Sequence, residues 1–392
     1  MSGEREYDLV LFGATGFTGG LTADYLAAHG PTNLRWALAG RNRAKLEAVA
    51  ARLAAARSPV PPPALLEADA ADAPALARIA QSTKVVITTV GPYALYGAPL
   101  VAACAAAGTD YVDLTGEPEF VDRMYLENDA AAKASGARLV HCCGFDSVPH
   151  DLGAYFTLLQ LPENVPVRID GYVRSNASFS GGTYHSAING FARGRQTLAV
   201  ARERKAAEPR PAGRQVHAAK ARIRRDEALH GWTAPLPTID GPIVRRSAAL
   251  VDRYGPDFTY GHNVVARRLA TVAGMAAGVG AVAVLARIPP TRKLLLKAKS
   301  PGEGPSVATR AGSWFKIRFV GEGGGKRVVT EVSGGDPGYS ETSKILAECG
   351  LCLAFDDLPG RAGQLTTVAS MGDMLLTRLQ NAGIAFRVLE TA

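Results

Sequence analysis

At 392 residues the chain exceeds what one ordinary hydrophobic core holds, so two domains are expected. With 47% apolar and 20% charged residues its composition is that of a globular protein, which argues against a disordered or fibrous chain. Five thinly spread cysteines argue against a disulfide framework, and the polar N-terminus lacks a basic-then-apolar secretory signal, so a cytoplasmic location is expected.

The first third alternates strands and helices. Tyr7 to Phe12 (YDLVLF) reads as a short buried strand, closed by a glycine-rich turn and followed by a helix to about Ala28. Leu34 to Ala39 is a second strand, Ala44 to Ala56 a helix, and Pro59 to Pro63 a loop. A third strand at Leu65 to Ala68 precedes a helix at Pro74 to Gln81; a fourth, Val85 to Val90, is stopped by Gly91 and Pro92. The helix Pro99 to Ala107 and the strand Tyr111 to Leu114 follow, and after one more helix Arg138 to Cys142 repeats the strand signal. This spacing predicts an α/β fold whose N-terminal part is a Rossmann-type, doubly wound parallel sheet.

After Asp146 the rhythm changes. Pro166 to Arg174 reads as a strand, and Gly181-Gly182 opens a long polar helix. Trp314 to Val320 and Arg327 to Val332 flank a GEGGG loop (Gly321 to Gly325). Phe315, Ile317 and Phe319 alternate with Lys316 and Arg318, which predicts a hairpin with one buried face. The second domain is therefore expected to be α+β with an antiparallel or mixed sheet. Cys349 and Cys352 have C-x-x-C spacing inside an apolar helical stretch, Ile345 to Phe355; packing explains them better than metal or redox chemistry, and no metal site is expected. The basic run Arg202 to Arg225 lacks interleaved aromatics, so it reads as a solvated face or an attraction for a phosphate-bearing partner, not as a nucleic-acid site.

Chemistry concentrates after the first strand, at Gly13-Ala14-Thr15-Gly16-Phe17-Thr18-Gly19. Glycines there permit a tight turn and let backbone N–H groups approach a pyrophosphate at the helix N-terminus. The spacing is G-x-x-G-x-x-G, looser than the usual dinucleotide fingerprint, yet its place on the first strand of such a sheet favours cofactor binding. The second strand ends Ala39-Gly40-Arg41-Asn42-Arg43, with Lys45 close behind. Where an NAD enzyme places a carboxylate for the ribose, this chain places a guanidinium suited to a 2′-phosphate, so NADP is the expected cofactor. Asp69 after the third strand is expected at the adenine edge, and Val90-Gly91 after the fourth on the way to the nicotinamide. Turn chemistry explains Pro92 equally well.

GATGFTG (Gly13 to Gly19), AGRN (Ala39 to Asn42), VGPY with a following YG (Val90 to Tyr93, Tyr96-Gly97), YVDLTGE (Tyr111 to Glu117) and GFDSVPHDLG (Gly144 to Gly153) together resemble the saccharopine dehydrogenase-like oxidoreductases, in particular the trans-acting enoyl reductases of bacterial polyketide lipid synthesis. SGGT (Ser180 to Thr183) and GDPGYSETSK (Gly335 to Lys344) extend the resemblance over nearly the whole chain. It implies a Rossmann domain (1–148), a substrate domain (149–338) and a C-terminal segment (339–392) whose helix returns to the Rossmann domain. It also implies NADPH-dependent reduction of an α,β-unsaturated thioester held on the acyl carrier protein of a separate polyketide synthase. The alternatives are a saccharopine dehydrogenase-like C–N (imine) oxidoreductase and, from another class, a non-catalytic NADP-binding sensor.

Enoyl reduction requires a donor to the thioester oxygen and a proton for the α-carbon. The candidates are Tyr93, Asp146 and Tyr339, with Tyr96 and His150 nearby in sequence and water as an alternative proton source. Tyr339 and Lys344 miss the Tyr-x-x-x-Lys spacing by one residue. Leu269 to Ala286 is eighteen residues without a charge, flanked by Arg267-Arg268 and by Arg287, Arg292 and Lys293. Three placements suit it: burial in the second domain, the lining of an acyl-chain tunnel, or a hairpin at a membrane surface. Burial is the expectation.

Overall fold

The computed structural model describes residues 5–56, 58–177, 181–298 and 304–392. The N-terminal alternation runs β1 (Tyr7–Phe12), α1 (Phe17–His29), β2 (Trp36–Gly40), α2 (Arg43–Ala55), β3 (Ala64–Glu67), α3 (Ala73–Ser82), β4 (Thr83–Thr88), α4 (Tyr93–Tyr96), α5 (Ala98–Ala107), β5 (Asp110–Asp113), α6 (Pro118–Ser135), β6 (Arg138–Val140) and α7 (Val148–Leu158). Local chemistry sets the boundaries. Asn42 and Asp72 cap α2 and α3 by accepting N–H bonds, and left-handed Gly108 and Gly136 end α5 and α6.

The second unit follows as β7 (Val167–Ser175), α8 (Gly181–Ala192), α9 (Gly194–Ala207), β8 (Gln215–Ala218), β9 (Arg224–Asp226), β10 (Gly231–Pro235), α10 (Asp240–Leu250), β11 (Asp257–Ala266), α11 (Leu269–Ala286), α12 (Pro289–Lys297), α13 (Val307–Ala311), β12 (Phe315–Gly323) and β13 (Lys326–Gly334). The chain ends in α14 (Ser340–Phe355), β14 (Gly363–Leu365), α15 (Thr367–Asn381) and β15 (Ala385–Thr391).

Two sheets result. The first has seven parallel strands in the order β14-β6-β5-β4-β1-β2-β3, with the reversal of strand order between β1 and β4 that defines a doubly wound fold. Its central strands read as unbroken apolar runs because helices cover both faces. The second sheet runs β15-β13-β12-β7-β11-β10-β9, with β8 also paired to β11. Its β7–β11 and β8–β11 pairs are parallel and its other pairs antiparallel, so it is mixed.

The expected hairpin is present, with a loop shorter than GEGGG. Gly321, Glu322 and Gly323 pair with Val328, Arg327 and Lys326, which leaves Gly324 and Gly325, both at positive φ, as a two-residue turn. Gly321 also serves packing, since a Cβ there would meet Thr157 of α7 at 2.7 Å. Gly153 on α7 is as closely packed against the Phe319 ring, so two glycines let this helix lie on the second sheet.

α14 packs against α1 and β4 of the first sheet, and Cys349 and Cys352 are buried there as free thiols. The last strand departs from the expected return to the Rossmann unit: β15 pairs antiparallel with β13 in the second sheet, where Phe386 faces Phe156 of α7. α11 departs further. Only 11% of it is buried, against the expected burial in the second domain, because it meets α8, α12 and the β10–β11 edge on one side only.

Candidate active site

The loops that follow β1, β2, β3 and β4 meet at the carboxyl edge of the parallel sheet. Gly13 N–H donates to Ala39 O (2.8 Å), Ala68 N–H to Gly40 O (3.1 Å), and the Thr89 hydroxyl to Gly13 O (3.1 Å). Gly13 sits at φ +93, and Gly19 lies so close behind the turn that a Cβ would stand 2.8 Å from Thr89 Oγ1 and 2.9 Å from the Gly13 carbonyl carbon. Gly16 is the N-cap of α1 and no side chain caps it, so the first-turn N–H groups stay open. Among the described residues the turn therefore presents unpaired donors and the positive end of a helix dipole at that edge. That arrangement suits a pyrophosphate.

Of the cations after β2, Arg43 bonds Glu47 (2.9 Å) and the Leu65 carbonyl (3.1 Å). Arg41 is exposed and makes no ion pair or side-chain hydrogen bond among the described residues, which leaves its guanidinium for a phosphate. Asn42 is different: its Oδ1 accepts from Lys45 N–H, so it works on α2. Asp69 is exposed and its Oδ1 accepts from Ala71 N–H in a local turn, the chemistry of a loop former. Thr15 and Gly16 are exposed on the crest of the glycine turn, and Thr18 O accepts from the Thr22 hydroxyl. Phe17 turns toward the second unit: its ring lies edge-on to Tyr339 (4.9 Å) with the Arg310 guanidinium 5.5 Å away, which leaves its backbone to face a cofactor. Val90 stands directly against Gly13, and Gly91 is exposed beside it.

The structure separates the three tyrosine and aspartate candidates. Tyr93 is only 4% exposed. Its hydroxyl donates to Thr88 O (3.1 Å) and accepts from Leu114 N–H (3.4 Å), and burial drives its pKa well up. It is a core tyrosine tying β4 to the loop after β5. The reason is Glu117, whose carboxylate accepts from the Tyr93 and Ala94 N–H groups (3.0 and 2.9 Å) and from the Ser186 hydroxyl (2.8 Å), fixing α4 with Tyr93 inward. Tyr339 is also buried; its hydroxyl accepts from Gly181 N–H (3.1 Å), so it joins the start of α8 to the glycine turn through Phe17. Ser180 of the SGGT motif lies outside the described residues.

Asp146 is the candidate with free chemistry. It follows β6 with Oδ2 beside Gly116, and no side-chain hydrogen bond to it is present among the described residues. Burial, then the neighbouring Asp240 charge, raises its pKa from 3.8 to about 7. Behind it lies a cluster without a sequence signature. His150 Nε2 is 4.0 Å from Asp240 Oδ1, His262 Nε2 is 3.3 Å from Asp240 Oδ2, and the two rings stand edge-to-face at 4.9 Å. The Tyr260 hydroxyl is 3.4 Å from His262 Nδ1, and the Thr238 hydroxyl donates to Asp240. Burial pushes His150 down to about 4, with Asp240 opposing. Burial alone would raise Asp240, but the two imidazoles and Thr238 hold it below the ordinary carboxylate range. One ligand atom from each of His150, Asp240 and His262 falls within 4.8 Å of the others, a grouping that has the donor types for a divalent cation.

Asp113 stiffens the same edge: Tyr111 and His141 converge on its Oδ2 (3.0 and 2.6 Å) while Thr115 and Cys142 N–H groups donate to Oδ1. Sequence reasoning overlooked Glu117, Asp240 and His262. Glu117 stands inside the YVDLTGE motif; Asp240 and His262 carry no local signal.

Comparison with known proteins identifies the family. Residues 9–140 match the family described as the saccharopine dehydrogenase NADP binding domain. A Mycobacterium tuberculosis (strain ATCC 25618 / H37Rv) protein with the provisional name trans-acting enoyl reductase is 40% identical, the alignment covering 99% of each chain. The trans-acting enoyl reductase of Mycobacterium ulcerans is 36% identical over 98% of each. Among solved structures, apo saccharopine dehydrogenase (L-Glu forming) from Saccharomyces cerevisiae shares the fold with a TM-score of 0.55 at 11% identity, covering 98% of this chain and 100% of that one. The chain is an NADP-dependent oxidoreductase and belongs to the trans-acting enoyl reductase family of saccharopine dehydrogenase-like proteins.

Proposed function

We propose that this chain reduces α,β-unsaturated acyl thioesters made by a separate polyketide synthase and presented on its acyl carrier protein, with NADPH as reductant. The observation that carries this is similarity over 99% of the chain to a protein bearing the enoyl reductase name. The glycine turn, the uncapped start of α1 and the exposed Arg41 suit NADP: Gly13, Thr15, Gly16, Thr18 and Gly19 would line its pyrophosphate, Arg41 its 2′-phosphate, and Val90-Gly91 the approach to its nicotinamide. Phe17 would contribute through its backbone, with Asn42 and Asp69 shaping the adenosine end. When bound, NADPH supplies the hydride that adds to the β-carbon.

Asp146 holds the proton that the α-carbon needs. With its pKa near 7 the carboxyl is substantially protonated at neutral pH, and the Asp240 charge behind it opposes ionisation until the proton leaves from the carboxyl beside Gly116. Tyr339 positions α8 over the glycine turn, and Tyr93 with Glu117 keeps the loops after β4 and β5 fixed.

The test is incubation of the protein and NADPH with an enoyl pantetheine thioester, following NADPH absorbance and product mass. The expected product is the saturated thioester. Turnover confined to imine substrates would instead assign a C–N oxidoreductase, and tight NADPH binding without turnover of either class a non-catalytic sensor.

A further inference from the structure

α11 is apolar all round: among Leu269–Ala286 the only hydroxyl is Thr271, and no residue is charged. Eighteen residues at 1.5 Å each give a rod of roughly 27 Å. Val272, packed on Ala234 and Ala266, and Ala286 are its buried residues, while Met275, Val279 and Val284 are 44, 52 and 57% exposed. α12 extends this surface, with Leu294 70% exposed, and is held to α8 by the Tyr184 hydroxyl donating to Leu295 O (3.1 Å). A contiguous apolar surface of this extent marks an interaction site.

Charge identifies the occupant. No Asp or Glu occurs between Asp257 and Glu303, whereas Arg267, Arg268, Arg287, Arg292, Lys293 and Lys297 bracket α11 and run through α12. Among the described residues none of these six cations is in an ion pair. A second copy would bring six more like charges to the contact. Lipid phosphates would neutralise them while acyl chains cover the rod.

We propose that α11 and α12 dock this protein onto an anionic lipid bilayer, with α11 in the acyl region and the flanking cations among the headgroup phosphates. α8, against which α11 lies, is also the helix whose Gly181 N–H meets Tyr339 and whose Ser186 meets Glu117 (2.8 Å), so the docked surface and the cofactor edge share one element. Docking stands whether or not the enoyl substrate is correct.

The experiment is co-sedimentation of the full chain with phosphatidylcholine vesicles and with vesicles containing phosphatidylglycerol, alongside velocity sedimentation without lipid. The protein should pellet with anionic vesicles. Val279→Glu with Val284→Glu should abolish pelleting while melting temperature and NADPH binding hold. Arg267→Glu and Arg268→Glu should each lower the partition coefficient by about fivefold or more. Protein left in the supernatant with both vesicle types overturns the proposal; a dimer that Val279→Glu dissociates would assign α11 to a second copy. Equal binding to neutral vesicles, unaltered by the arginine reversals, also overturns it.

Discussion

Replacing Arg41 with Asp isolates the selectivity for NADP. This guanidinium is exposed and has no partner among the described residues, so stability should stay within about 0.5 kcal/mol of the parent. A hydrogen bond to a charged group contributes roughly 1.5–3 kcal/mol. The introduced carboxylate adds repulsion that solvent screening holds to about 1 kcal/mol. The sum is about 3 kcal/mol, a loss of NADPH affinity on the order of a hundredfold. NADH lacks the 2′-phosphate, so its affinity should change by less than about threefold on the same reasoning. Arg43 is the internal control: because it is engaged by Glu47 and the Leu65 carbonyl, Arg43→Ala should weaken NADPH only severalfold. Titration of nicotinamide fluorescence with both coenzymes reads the three affinities, and thermal unfolding reads the stability. Parent-like NADPH binding by Arg41→Asp, or a larger loss in Arg43→Ala, would refute the assignment.

Three further outcomes follow from contacts already described. Gly153→Ala would place a Cβ into the Phe319 ring and 2.9 Å from Val332 Cγ2, so calorimetry should show a loss of about 1–3 kcal/mol. For Asp146 the folded pKa of about 7 lies above the ordinary 3.8, so its contribution is fully present below pH 3.8 and is lost as pH rises through 7; Asp146→Asn should flatten that decline in melting temperature and remove the matching fall in turnover. Asp122 bonds the Arg246 guanidinium and stands 3.3 Å from buried Arg204, and Asp122→Ala should destabilise by about 3 kcal/mol in denaturant titration, because it leaves Arg246 without its anion.

The legible parts of this protein are those whose information is local. Each strand of the Rossmann unit is bounded by its own glycine, proline or cap, and the glycine turn declares itself between Phe12 and Phe17 without help from distant residues. The side chains around Asp146 are not local: His150, Asp240 and His262 come from α7, α10 and β11, and nothing in their spacing predicts that they meet. Position alone also misleads. Tyr93 follows β4 where a catalytic group could stand, yet Glu117, twenty-four residues on, turns it inward. For α11, composition establishes an apolar helix but not what covers it, which depends on whether another layer is built above. Gly363–Leu365 is too short for an alternating pattern and gains its identity as a strand only from the edge of β6.

The last fifty residues visit both sheets, α14 and β14 completing the first and β15 extending the second. Synthesis therefore releases the Rossmann unit from the ribosome unfinished, with β6 as an open edge and the surface destined for α14 uncovered, until α14 and β14 have emerged. A gene cut after α6 or β6 to yield a free coenzyme-binding module would deliver an aggregation-prone fragment. A truncation of only residues 385–392 would instead expose β13 along its length and leave the first sheet whole. β15 thus acts as a closing stitch of the second sheet, and a tag or fusion placed after it should be joined through a linker that leaves it free to pair.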